Sequence, residues 1–338
     1  MKRAPASRFS RAFILMVALA VFVLGGAPAT TAADLKKLTV FIGPTPIYDS
    51  VWMADAKGLY KDEGLDVQFR LFPSGTTALQ TFKTGVGDIN FGGDLPGVQY
   101  WNEIQKNYRL IAVLERDAKG YVAAAKKSIA KPQDLKEKTI ATRVGSTGSW
   151  FISVYLQKNG MSTKDVTIKN LDTQILPTAL CKGDIDAFFI WQPFPARALE
   201  VCPDRVHYLT TAEGYIHGYA VAGARPDWLA TPEGRDKAIR FLRATIRGRE
   251  VAERDFAAVA KFAADKHSLS EKATREQWEI NERVLAFDKV FYDDYCNLSG
   301  WMKAEGILKA PLDFSQFIWT EGLKAIDPKR VTDLPKPC

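Results

Sequence analysis

One unit occurs twice in this chain, and that repetition constrains the fold more than any single motif. Residues 79–91 read LQTFKTGVGDINF and residues 176–188 read LPTALCKGDIDAF. Each is a helix-compatible stretch, a Gly-Asp-Ile turn and a short apolar strand. A helix start rich in small and hydroxyl residues precedes each copy. A proline-containing loop follows, Gly93-Asp94-Leu95-Pro96 in one case and Trp191-Gln192-Pro193 in the other. Helix, turn and strand in that order form part of a parallel crossover. Two copies imply two lobes of one design; the rival reading is a chance match of common α/β punctuation.

The rest of the pattern has the same alternation. Residues 38–42 (LTVFI) read as a buried strand ended by Gly43-Pro44, and residues 50–58 as a helix stopped by Gly58. Residues 65–71 (LDVQFRL) alternate as a strand. Further strands are expected at 88–92, 110–114, 121–125, 139–143, 166–171, 187–191 and 219–224. Beyond 224 the chain turns helical: Ala238, Phe241, Leu242, Thr245 and Ile246 fall at helical spacing and form an amphipathic stripe. Strands alternating with helices imply an α/β fold, each lobe a mostly parallel sheet flanked by helices.

The length, 338 residues, suits about two domains and a real core without a metal or disulfide to create it. Of the net charge of +7, four units come from Lys2, Arg3, Arg8 and Arg11 in a stretch without acids, which leaves +3 for the body. Scattered, nearly balanced charge is a poor basis for nucleic-acid binding, which needs a basic stripe. The four early charges precede an apolar run of 13 residues, 12–24, and then small residues up to Ala33. That is the build of a secretory signal peptide, residues 1–33, with Thr31 and Ala33 at the small positions before a cut at Asp34. Thirteen residues span about 20 Å as a helix, short of the ~30 Å of a membrane core, which disfavours an anchor. The expected product is a soluble, exported monomer.

Export changes the meaning of Cys181, Cys202, Cys296 and Cys338. An even count in an oxidising compartment points to disulfides, with three pairings open. Cys181–Cys202 is preferred because both flank one helix–strand–helix stretch, and Cys296–Cys338 would then staple the tail. Free buried thiols are the other reading. No CxxC or Cys/His cluster supports a metal site.

Ile42-Gly43-Pro44, the run 54–67 (ADAKGLYKDEGLDV), Gly75-Thr76-Thr77, Gly87-Asp88-Ile89 with Gly93-Asp94-Leu95-Pro96, and Gly183-Asp184-Ile185-Asp186-Ala187 resemble one family. It is the periplasmic solute-binding proteins of ABC importers, of the nitrate/sulfonate/taurine-binding, thiamine-pyrimidine-synthase-like group. The resemblance covers roughly residues 38–229. It implies a two-lobed periplasmic binding protein fold of type II, with residues 34–117 and 224–338 as one lobe and 118–223 as the other. It also implies a periplasmic location, a solute held between the lobes, a membrane permease and its ATPase as partners, and no cofactor.

Elementary chemistry locates the site independently. Open α/β sheets bind ligands at the carboxyl ends of strands. Helix starts there expose unpaired N–H groups and a positive dipole end. Ser74, Gly75, Thr76 and Thr77 supply one such start; Gly145, Ser146, Thr147 and Gly148 supply the facing one. The competing reading is that the hydroxyls only cap their own helices. Thr45 and Tyr48 follow the first strand and are placed to touch ligand. Asp94 either reads an ammonium or amide or merely shapes its turn. Trp191, Gln192 and Phe194 offer a stacking surface, with plain core as the alternative for Trp191. Trp52 and Trp150, on helix faces, are weaker candidates.

An enzyme is the rival class. The chain has no Gx4GK[ST], HExxH or GxSxG pattern, and His207, His217 and His267 are scattered. The synthase relatives share the architecture, but their cysteine-rich catalytic motif is absent here. An extracytoplasmic sensor is a third reading. The expected ligand is a small organic anion, a sulfonate first, with an aromatic carboxylate or pyrimidine as the alternative.

Overall fold

Leu38, Val40 and Ile42 have no exposed surface, so strand β1 (Lys36–Ile42) lies in the interior of its sheet. In the computed structural model, which describes residues 35–103 and 107–338, β1 pairs in parallel with β2 (Leu65–Leu71) and β3 (Ile89–Gly93). Strands β4 (Arg109–Asp117), β10 (Gly218–Ala224) and the two-residue β11 (Glu282–Arg283) extend this sheet antiparallel, in the order β11-β4-β10-β3-β1-β2. The expected leader and its cut before Asp34 lie outside the described residues.

The second sheet repeats the plan. Strands β6 (Thr139–Thr142), β7 (Thr167–Asn170) and β8 (Ala187–Trp191) are parallel, and β5 (Tyr121–Lys126) and β9 (Val206–Thr211) join antiparallel, in the order β7-β6-β8-β5-β9. Both sheets are therefore mixed. The parallel part of each contains the repeated helix–turn–strand unit, which has to cross over. The antiparallel part comes from the strands on either side of the two crossings between sheets. Strand β10, expected at the end of the second lobe, hydrogen-bonds in the six-stranded sheet, and β9 is a strand the sequence did not reveal.

The first crossing, between β4 and β5, is pinned by Asp117, whose Oδ1 accepts the backbone N–H groups of Lys119 and Gly120 at 2.6 and 2.7 Å. The C-terminal helices pack beside the six-stranded sheet. In helix Pro232–Arg254 the stripe Ala238, Phe241, Leu242, Thr245 and Ile246 is buried, and Phe241 stacks on Tyr60 at 5.0 Å. Beside the five-stranded sheet, Leu176, Leu180, Phe188, Ile190 and Phe194 form a smaller core. Disulfides join Cys181 to Cys202 there and Cys296 to Cys338 in the C-terminal region.

One local expectation is overturned. Asp94-Leu95-Pro96 is not a loop but the first turn of helix Asp94–Glu103. Proline is tolerated there because a first-turn N–H has no intrahelical partner to lose.

Candidate functional site

The site forms where the carboxyl ends of β1 and β3 face the start of the helix after β6. Beyond β1 the chain makes a short turn, Pro46–Tyr48. The indole N–H of Trp52 donates to the carbonyl of Thr45 at 3.0 Å and fixes that turn, while the Tyr48 ring packs edge-on to Phe91 at 5.3 Å. Trp52 itself belongs to the core, stacked against Phe262. Trp150 is likewise buried, beside Trp301.

Two helix starts converge on this turn. Ser74 caps helix Gly75–Phe82, its hydroxyl accepting the N–H of Thr77 at 3.2 Å. Ser146 caps helix Thr147–Lys158 by accepting the N–H of Gly148 at 3.2 Å. Capping and site formation thus coincide. The early N–H groups left over, which have no intrahelical acceptor, lie near a positive dipole end. Glycine is needed at Gly75 because a Cβ would stand 2.5 Å from the Gly92 Cα; at Gly148 it would stand 2.6 Å from the Phe189 carbonyl oxygen. Both glycines therefore seat a helix start against a strand.

Between these elements is a cavity of about 40 Å³, room for about three waters at roughly 10–15 Å³ each. Of the residues expected from sequence, Thr45, Tyr48, Ser74, Gly75, Thr76, Ser146, Thr147 and Trp191 line it. Thr77, Asp94, Gly148 and Gln192 do not. Thr77 bonds its hydroxyl to Ser74 at 2.9 Å. Gln192 donates to the Tyr208 hydroxyl at 3.1 Å and accepts the Ala196 N–H at 3.1 Å, which makes it a brace for helix Phe194–Val201. Phe194 is core. Asp94 is fully buried and turned to Thr147, whose hydroxyl donates to its Oδ1 at 2.5 Å, so it cannot read a ligand amine from the cavity wall as placed.

Sequence reasoning missed Tyr121 and Tyr219, which also line the cavity. Each sits next to a crossing, on β5 and β10, and strand periodicity alone gives no sign that a crossing brings it to the cavity. Burial pushes the phenols of Tyr48 and Tyr121 upward, so both stay protonated. None of the described lining residues carries a charge. Two buried hydroxyls on the wall, Thr45 Oγ1 and Thr76 Oγ1, have no hydrogen-bond partner. The wall thus combines neutral donors with aromatic faces. Arg143, the nearest cation by sequence, pairs with Asp172 at 3.2 Å.

Residues 46–255, more than half of the chain, match the family described as NMT1/THI5 like. The chain belongs to that family. It is 27% identical over 275 residues to a Brucella abortus (strain 2308) protein designated a binding protein, covering 77% of this chain and 83% of that one. It is 30% identical over 134 residues to the taurine-binding periplasmic protein of Escherichia coli K12, covering 39% of this chain and 41% of the relative. The alkanesulfonate-binding protein SsuA of Xanthomonas axonopodis pv. citri, solved with MOPS, shares the fold with a TM-score of 0.74 at 18% identity, over 86% of this chain and 100% of its own. The fold alone does not separate binding from catalysis. The desulfurization enzyme DSZB has a TM-score of 0.66 at 14% identity, over 87% of this chain and 100% of its own. Across such neighbours the architecture is the generic periplasmic binding protein fold.

Proposed function

We propose that this protein is the extracytoplasmic solute-binding component of an ABC importer, and that it captures a small organic sulfonate between its two lobes and delivers it to a membrane permease and its ATPase. The observation that carries this reading is the uncharged donor set at two converging helix starts, with Thr45 Oγ1 and Thr76 Oγ1 buried and unpartnered. Neutral donors and dipole ends can hold a tetrahedral anion without burying an opposing full charge, which is costly to desolvate. Trp191 and Tyr48 on the wall offer aromatic surface to an organic tail. The taurine-binding and alkanesulfonate-binding relatives support the same ligand class. The expected leader fits periplasmic delivery.

An amine-reading pocket loses its residue with Asp94 held against Thr147. For the enzyme reading, the lining residues include hydroxyls but no histidine, cysteine or carboxylate to activate them. Thermal-shift and calorimetric titration of the mature chain with taurine, ethanesulfonate, MOPS, nitrate, benzoate and a pyrimidine test the proposal. A bound sulfonate at a hundred times its Kd should stabilise by about 2.7 kcal/mol. Preference for benzoate or the pyrimidine over every sulfonate, or turnover of any compound, would refute it.

A further inference from the structure

Asp94 opens the helix after β3 in the six-stranded-sheet lobe, and Thr147 opens the helix after β6 in the other. Both side chains are buried, and they meet at 2.5 Å. The approach is close along its length, since a Cβ on Gly93 would stand 2.8 Å from the Thr147 hydroxyl oxygen. The Leu95 N–H also donates to Asp94 Oδ1, at 2.6 Å, while Oδ2 is buried without a partner. A carboxylate oxygen in that position is expensive to keep ionised and costs far less once protonated.

We propose that Asp94 is a positioning residue that clasps the two lobes shut through Thr147, and that closure over the ligand takes up one proton at Asp94. The clasp rests on the two-lobed binding reading above, because it acts only if the lobes part and close. Thr147 and Gly93 also line the cavity, so forming the clasp completes the cavity wall.

The surroundings set the sign. Facing Asp94 are Asp294 and Tyr295 from helix Lys289–Ala304, Tyr219 on β10 and Tyr121 on β5. None of these is a cation, and the Thr147 helix contributes only its hydroxyl. Arg116, behind Tyr219, is taken by Glu282 and Asp288, and Asp294 is held by His217 and Tyr219. Burial pushes the Asp94 carboxyl up to about 7, against the lowering effect of its hydrogen bonds. Opening removes the cover of Thr147 and Tyr121 and returns the group toward an ordinary carboxylate value near ~4. The closed form therefore keeps its proton below pH 7 and loses it above, so closure weakens as pH rises.

The test uses the mature chain, Asp94→Asn and Thr147→Val. In the wild type, the affinity for whichever of taurine, ethanesulfonate or MOPS binds should fall about fivefold from pH 6 to pH 7, with proton uptake visible in buffers of different ionisation enthalpy. Asp94→Asn, neutral at every pH, should bind without that dependence. Without ligand, the wild-type radius of gyration should grow between pH 6 and pH 8.5, that of Asp94→Asn should stay small, and that of Thr147→Val should stay large. Glu115, another buried carboxyl whose burial holds it well above the ordinary range, lies at the end of β4, so Asp94→Asn is the variant that assigns the effect. A wild-type pH profile retained in Asp94→Asn, or none in either protein, overturns the clasp. Should Asp94→Asn not fold, a Thr147→Val radius that tracks the wild type overturns it instead. Sulfonate binding without pH dependence sinks the clasp alone; a pH-dependent radius with no sulfonate bound sinks the ligand class alone.

Discussion

The two hydroxyl-rich helix starts look interchangeable in sequence but do different work. At Ser74-Gly75-Thr76-Thr77, the Ser74 and Thr77 hydroxyls satisfy each other and the cap, which leaves the Thr76 hydroxyl buried, unpartnered and on the cavity wall. At Ser146-Thr147-Gly148, the Ser146 hydroxyl caps the helix and the Thr147 hydroxyl is spent on Asp94. Matching positions in a repeated unit thus became an unpartnered hydroxyl on the cavity wall in one case and a hydroxyl bonded to Asp94 in the other. What separates them is the presence of Asp94, a residue outside both starts.

The regions around the two starts can be separated by experiment. One disulfide lies beside the five-stranded sheet and the other in the C-terminal region, and the largest effects are expected from removing them. In the chain-entropy model the Cys296–Cys338 bond, closing a separation of 42 residues, contributes about 4 kcal/mol, and Cys181–Cys202, closing 21, about 3 kcal/mol. Denaturant unfolding of the two Cys→Ser pairs measures both. A larger loss from the shorter loop would show that strain or residual structure, not loop length, governs the difference.

Next come the seated glycines. Gly75→Ala and Gly148→Ala should each destabilise by about 1–3 kcal/mol, because the added carbon meets backbone that cannot yield cheaply. A neutral Gly148→Ala would show that the second helix start rides free of β8. Ligand affinity sharpens the contrast further: Thr76→Ala should lose about 1.5–3 kcal/mol of sulfonate binding with its melting point unchanged, read by calorimetry beside a thermal melt. If Thr76→Ala binds like the wild type, the unpartnered hydroxyl is not a ligand donor. The smallest effects belong to the caps. Ser74→Ala and Ser146→Ala should each cost about 1 kcal/mol of stability, and equal losses in unfolding experiments would confirm that capping, unlike binding, is shared by the two starts.

The sequence alone determined the repeating plan. Strand β2 runs over the seven residues that alternate, Leu65–Leu71, and the helical stripe from Ala238 to Ile246 is buried as its spacing requires. The caps at Ser74 and Ser146 were also legible, since capping is a bond between neighbours in the chain. What the sequence could not show was where side chains go once distant segments meet. Asp94 looked like a turn residue or an amine reader until Thr147, 53 residues away, approached it. Gln192 looked like a pocket wall and proved to brace a helix, while Tyr121 and Tyr219 looked like ordinary strand residues and proved to line the cavity. Local periodicity and capping depend on contacts within a few residues, so the chain encodes them directly. Which hydroxyl is free and which carboxyl is buried depends on how two sheets from separate parts of the chain close on each other, and only the tertiary structure decides that.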